Sequence, residues 1–236
     1  TNDASGTGIG TIDSAGSVNT DAGFSIISFT GTETNSQSVA HGLGAVPELI
    51  ISKSRDVADN WMVHHGSFSE NDYISLNLTN AKASASSVWS SLPTSTVINI
   101  GDNAGVNDDG AMIMYAFRSV QGYSKFGSYT GNGNADGTFV YTGFKPALII
   151  FKNADSGSAD WVLYDNKRDG FNSNNIALYP NANAADDTGN DPDILSNGFK
   201  QRATGSDRNG NGENIIYMAF AENPFVTSGG VPGLAE

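Results

Sequence analysis

Apolar and polar positions alternate along this chain over short stretches, and clusters of Gly, Asn, Asp and Ser repeatedly interrupt them. Phe24 to Thr30 is β-branched and aromatic, and Asn60 to His65 and Asp72 to Leu78 alternate. Pro47 to Lys53 is a continuous apolar run opened by proline, at a place where a strand tolerates it. Ala111 to Arg118 closes the series. The intervening Gly101-Asp102-Asn103-Ala104-Gly105 and Asn107-Asp108-Asp109-Gly110 supply positive-φ positions and the local side-chain hydrogen bonds of turns. No segment of about 12 residues or more has helical spacing with caps. The pattern predicts an all-β protein of the sandwich or barrel class.

The series occurs twice. Phe29-Thr30-Gly31 recurs as Tyr129-Thr130-Gly131, and Pro47-Glu48-Leu49-Ile50-Ile51-Ser52-Lys53 as Pro146-Ala147-Leu148-Ile149-Ile150-Phe151-Lys152. Asp59-Asn60-Trp61-Met62-Val63 matches Ala159-Asp160-Trp161-Val162-Leu163, Ile74-Ser75-Leu76 matches Ile176-Ala177-Leu178, and Met114-Tyr115-Ala116-Phe117 matches Tyr217-Met218-Ala219-Phe220. Landmarks repeated in order at a separation of about 100 residues mean a repeated structural unit. The reading is a duplicated β-sandwich-like unit, with one repeat over residues 23–121 and the other over 122–224. The short link Ser119-Val120-Gln121-Gly122-Tyr123 predicts close packing of the repeats, and leaves open whether they build two sandwiches or halves of one. Residues 1–22 and 225–236 are rich in Gly, Thr and Ser with little to bury, and read as an extended N-terminal arm or linker and a C-terminal arm. A first residue that is Thr points to processing, or to a piece of a longer polypeptide.

Charge changes the range of partners. Asp and Glu number 25 against 12 Lys and Arg, a formal net charge of −13 that repels a phosphate backbone and excludes nucleic acid as the expected partner. The absence of Cys removes disulfides, thiol catalysis and Cys-ligated zinc. No apolar run approaches the ~18 residues of a membrane helix, so no membrane insertion is expected.

Candidate chemistry is sparse. His64 and His65 are adjacent in an expected strand and point to opposite faces, so they cannot easily share a metal ion. His41 sits in a turn, and the matching stretch Val140-Tyr141-Thr142-Gly143 has no histidine; structural or surface roles are expected for all three. Asp207, Asn209 and Asn211 fit the opening of a calcium loop, with oxygen ligands at alternate positions around a Gly turn. The Glu that should complete such a loop falls on Met218, and a tight turn explains the Asn-Gly repeats equally well. No other cofactor is indicated. The acid pairs Asp108 with Asp109 and Asp186 with Asp187 could serve glycoside hydrolysis only if two carboxylates faced each other, and adjacent loop acids are normally solvated. No G-x-S-x-G, P-loop, H-E-x-x-H or strand-linked G-x-G-x-x-G is present, and no enzyme is expected. Trp61 and Trp161 occupy equivalent places and could stack on sugars if exposed. Their apolar neighbours Met62-Val63 and Val162-Leu163 favour burial in the two cores.

Four segments carry a family resemblance: Gln121-Gly122-Tyr123-Ser124-Lys125-Phe126-Gly127-Ser128-Tyr129-Thr130-Gly131-Asn132-Gly133, Asp165-Asn166-Lys167-Arg168, Leu195-Ser196-Asn197-Gly198-Phe199-Lys200, and Ala219-Phe220-Ala221-Glu222-Asn223-Pro224-Phe225. They resemble a domain of unknown function common in tail, fibre and other virion-associated proteins of bacteriophages, many of them marine. The resemblance runs from about Gly23 to Gly230. It implies a component of the virion surface that is oligomeric, in the manner of trimeric fibres, and that contacts itself and other virion proteins. The function it implies is a tail-fibre or adhesin module for host attachment, with surface glycan as a partner. The alternatives are an architectural part, such as a capsid decoration or a tail or baseplate component, and thirdly a glycan depolymerase. It implies no catalytic residues.

Overall fold

A computed structural model describes residues 1–168, 172–174, 176–189 and 192–223. Contacts divide the chain into two units, one of Thr1–Leu76 with Lys82–Arg118 and one of Asn77–Ala81 with the described residues from Ser119 onward. The fold is all-β, as the alternating pattern predicts.

The first unit contains α1 (Ala4–Thr7), β1 (Ser14–Asn19), β2 (Phe24–Thr30), β3 (Gln37–Ala40), β4 (Leu49–Ser54), β5 (Met62–His65), β6 (Asp72–Ser75), β7 (Ala83–Ser84), β8 (Val97–Ile100), α2 (Ala104–Asn107) and β9 (Ala111–Phe117). An antiparallel sheet runs β1-β2-β9-β4-β5-β6-β7, and β3 pairs with β8 as a separate ribbon. Strand parity decides what the sheet buries. Ile27 and Phe29 of β2 lie opposite Met114 and Met112 of β9, and all four point inward with Ile50. Val39, Ile98 and Ile100 of the ribbon complete this core together with Val88, Trp89 and Val106. Burial of each large apolar side chain here contributes roughly 1.5–3 kcal/mol.

The second unit contains β10 (Ser124–Thr130), β11 (Phe139–Tyr141), β12 (Pro146–Asn153), β13 (Trp161–Asp165), β14 (Ile176–Ala177), β15 (Asp187–Thr188), β16 (Pro192–Leu195), β17 (Gly198–Gln201), α3 (Ser206–Asn209) and β18 (Asn214–Ala221). Its main sheet runs β10-β18-β12-β13, and β11-β17-β16 forms a second layer. Ile149, Phe151, Val162, Ile215 and Tyr217 from the main sheet meet Val140, Ile194 and Phe199 from the second layer. Phe199 centres an aromatic cluster, 5.1 Å from the ring of Phe151 and 5.3 Å from that of Tyr217. Such edge-to-face pairs add about 0.5–1.5 kcal/mol beyond area burial.

The two units pair their strands in the same order, β2-β9-β4-β5 in one and β10-β18-β12-β13 in the other. Val39 pairs with Ile98 as Val140 pairs with Phe199. The short helices α2 and α3 each end on a fully buried asparagine. The Asn107 carbonyl oxygen accepts from the Thr32 amide, and its amino group donates to the carbonyls of Thr34 and Gly101. Asn209 accepts from the Asn132 amide and donates to the carbonyls of Asn134 and Ala203. The preceding turns share another requirement: a Cβ on Gly31 would stand 1.9 Å from the Asp108 carbonyl oxygen, and one on Gly131 2.3 Å from that of Gly210.

Two expectations need correction. Residues 1–22 are not an arm: β1 pairs along its whole length with β2, Asn2 bridges to Ser14, and Ala4 and Ile12 are buried in the first unit. Ser, Gly and Asn on β1 hid it, because five of its six positions lie outside the core and needed no apolar residue. The expected C-terminal arm, 225–236, lies outside the described residues. The second correction concerns tryptophan. Trp161 is 1% exposed, but Trp61 is half-buried, and Trp89 is the tryptophan that fills the core of the first unit.

Candidate functional site

The three histidines are structural. In His41 the Nδ1 accepts from the Leu43 amide and Nε2 lies 3.2 Å from the Thr94 carbonyl oxygen; burial lowers its pKa against the opposing pull of that carbonyl. His64 stands across from Ile50, its ring edge-on to Trp89 at 6.0 Å, and its Nδ1 has no hydrogen-bond partner. Burial pushes its pKa down to about 4, opposed by the carbonyl and carboxylate of Asp72. A proton there is disfavoured because the charged ring would exchange water for hydrocarbon. His65 faces the other side of β5, where its Nδ1 is 2.8 Å from the Ser67 hydroxyl. All three rings are under 3% exposed, so none meets a substrate from solvent.

Of the suggested calcium ligands, Asp207 and Asn209 lie on α3, while Asn211 is in the turn that follows. The amide of Asn209 is spent on its own chain, as described above. Asp207 has its pKa raised by burial and by the Asp160 carboxylate, with Arg208 and Lys152 pulling the other way. Among the described residues no three His, Asp or Glu side chains are grouped to hold a metal ion. The acid pairs are likewise separate in role. Asp108 takes a hydrogen bond from Ser54 and Asp187 one from Tyr179, while Asp109 and Asp186 are exposed.

A cleft of about 360 Å³ opens over β1 and β2, walled by Ile9, Val18, Ile27 and Ala40 with Ser14 and Ser25. The Ser25 hydroxyl is committed to the His41 carbonyl at 2.7 Å. The cleft therefore has an apolar floor, and no Asp, Glu, Lys or Arg side chain is among the residues that line it.

The outward row of β11 is different. Val140 points into the core of the second unit, so Phe139 and Tyr141 must point out, and they are 45% and 60% exposed. Two such side chains on one strand face stand about 6.6 Å apart along it. Lys125 donates to the Tyr141 carbonyl at 2.9 Å, and its ammonium sits 5.6 Å from the centre of the Tyr141 ring, which holds that ring in place. Gly143, at φ 86°, lies beside the same ring in a backbone conformation that favours glycine; a Cβ there would stand 3.6 Å from the Tyr141 hydroxyl oxygen, at ordinary contact distance. Lys200 stands across from Phe139 on the outward face, and Asp193 across from Lys200. Lys200 pairs with Asp136 at 2.6 Å, and Arg202 with Asp193 at 2.5 Å. The Lys200 ammonium holds the Asp136 carboxylate below its usual pKa range. Asn132 and Asn134 shape the adjoining loop by accepting from the amides of Asn134 and Asp136. The result is a pair of outward aromatic rings bordered by hydrogen-bonding groups of both signs.

Sequence reading missed Phe139 and Tyr141 because a Phe-Val-Tyr strand naturally suggests aromatics inside. The signal lay in the alignment of the repeats, where Ser38-Val39-Ala40 holds the same place and marks the central valine as the inward residue.

No curated protein and no solved structure matches the chain. Residues 1–224 match a family described as a domain of unknown function, DUF7483. Since that match spans nearly the whole sequence, the chain belongs to the DUF7483 family.

Proposed function

We propose that this chain is a non-enzymatic glycan-binding module, built from two copies of one β-sandwich-like unit, and that its binding surface is the Phe139–Tyr141 platform. The observation that carries the reading is the outward placement of both rings, since apolar side chains left in water without a packing role mark an interaction site. Flat aromatic faces receive the C–H faces of pyranose rings, and the surrounding Lys, Asp and Asn side chains suit sugar hydroxyls. With the resemblance to virion-associated domains in support, we read such a module as an oligomeric tail-fibre or adhesin element for host attachment on a phage surface. The two carboxylates beside the platform, Asp136 and Asp193, are each held in an ion pair, with Lys200 and Arg202, and this supports a surface that binds over one that cleaves.

The test is glycan-array binding of the wild type and of the double variant Phe139→Ser with Tyr141→Ala, which installs the residues of the first repeat. Each exposed stack contributes about 0.5–1.5 kcal/mol, so the double variant should lose roughly tenfold or more in affinity. Equal binding by both proteins, or no glycan bound by the wild type, sinks the proposal.

The architectural reading has one feature in its favour. β1 is an edge strand with outward residues and with Val18 47% exposed, a template on which a second copy or another virion protein could add a strand. Light scattering of wild type against Val18→Lys reads this out: a smaller assembly in the variant supports it, and an unchanged mass removes it.

A further inference from the structure

We infer that the platform selects acidic glycans, with Lys125 seating the carboxylate of a sugar stacked on Tyr141. This deepens the glycan reading and rests on it.

Lys125 differs from its cationic neighbours. Lys200 and Arg202 each have a carboxylate within 2.6 Å. Lys125 donates to one backbone carbonyl, that of Tyr141, and among the described residues no carboxylate pairs with it. An ammonium has three donors, so two remain directed away from the backbone, beside an aromatic ring that is 60% exposed. A sugar lying on that ring brings its ring substituents to the ammonium, and a carboxylate there supplies the missing counter-charge.

Local charge agrees. Lys125, Lys200 and Arg202 against Asp136 and Asp193 give the platform a net charge of +1, within a chain of −13. At physiological salt the Debye length is about 8 Å, so a ligand on the platform senses these groups and little of the acidic remainder. Selection then depends on short-range pairing at Lys125 rather than on the overall field, which repels polyanions.

The experiment is calorimetric titration of the full chain with uronic-acid oligosaccharides (galacturonate, glucuronate and mannuronate) and with their carboxyl-reduced, neutral counterparts. Three proteins are compared: wild type, Lys125→Gln, and the Phe139→Ser, Tyr141→Ala variant. Gln keeps a donor for the Tyr141 carbonyl while removing the charge. At least one acidic oligosaccharide should bind the wild type about two- to fivefold tighter than its reduced form for each carboxylate engaged. Lys125→Gln should abolish that preference, so that the acidic and reduced forms bind alike, and the aromatic variant should weaken both forms. A preference that survives Lys125→Gln, or equal binding of acidic and reduced forms to the wild type, overturns the inference while leaving the platform standing. Binding that is indifferent to the aromatic substitutions, or absent for every oligosaccharide, removes the platform reading and the inference with it.

Discussion

Removing the buried asparagine at the end of either short helix should cost one unit about 3 kcal/mol. Asn209 is fully buried, and its amide satisfies three backbone groups in two segments: the Asn132 amide at 3.0 Å and the Asn134 carbonyl at 2.8 Å in one loop, and the Ala203 carbonyl at 2.7 Å in another. Asn107 does the same for the Thr32 amide at 2.8 Å, the Thr34 carbonyl at 2.8 Å and the Gly101 carbonyl at 2.9 Å. Alanine at either position removes three hydrogen bonds at about 1 kcal/mol each, and the bond lost to the Gly101 or the Ala203 carbonyl is a buried one. Asn209→Asp separates this role from metal binding. A carboxylate still accepts from Asn132 but cannot donate, and it sets a negative charge against two carbonyl oxygens, so the substitution should destabilise at neutral pH at least as much as alanine. Were the loop a calcium site, the same change would strengthen metal binding. Urea unfolding, followed with calcium and with chelator, reads both effects. A loss below 1 kcal/mol for Asn209→Ala, or wild-type stability that falls on chelation, refutes the argument.

Two further predictions follow from burial. The His64 imidazole is neutral in the fold down to about pH 4, whereas in the unfolded chain it takes up a proton near its ordinary pKa of 6.5. The unfolded state thus binds more protons in that window, so stability is complete above 6.5 and falls by about 3 kcal/mol as the pH drops to 4. His64→Phe should flatten this slope, leaving the smaller share of His41, whose pKa also lies low. An unchanged slope in stability measured across pH 4 to 7 would show that the proton goes elsewhere. Trp161→Ala should destabilise by ~3–5 kcal/mol, as a large-to-small change in a packed interior, and Trp61→Ala by clearly less. Equal losses in chemical denaturation would contradict the difference in burial.

How far the fold was legible depended on whether the inner face of each strand was apolar. The inward rows of β2 and β9, Ile27 and Phe29 against Met114 and Met112, stand out in any period-two reading. β1 did not, since its outward face is polar and its pairing with β2 is made by the backbone, which carries no sequence signal. The landmark tryptophans were read as equivalent because their flanks match. Their burial differs because Trp89, which lies between β7 and β8, fills the core of the first unit. The alternation of Asp207, Asn209 and Asn211 mimicked a ligand loop, yet a one-turn helix aims Asn209 inward to fasten two strand ends. Side-chain spacing alone does not distinguish a residue that binds an ion from one that binds its own chain.

The same parity explains why β11 is the place to look for function. In a two-layer fold the inner row fixes the register, because a one-residue slip would expose it along the whole strand. Val39 opposite Ile98, and Val140 opposite Phe199, supply that constraint in the two units. The outer row is then free to vary without disturbing the core, and at these positions the first unit has Ser38 and Ala40. The first unit is built there without aromatic rings, so the strand pairing does not by itself require Phe139 and Tyr141. Under the duplication reading, the difference between equivalent strands is itself the marker of a site. Under that reading one unit keeps a plain surface, and the other carries two exposed rings beside Lys125, whose ammonium has no carboxylate partner among the described residues.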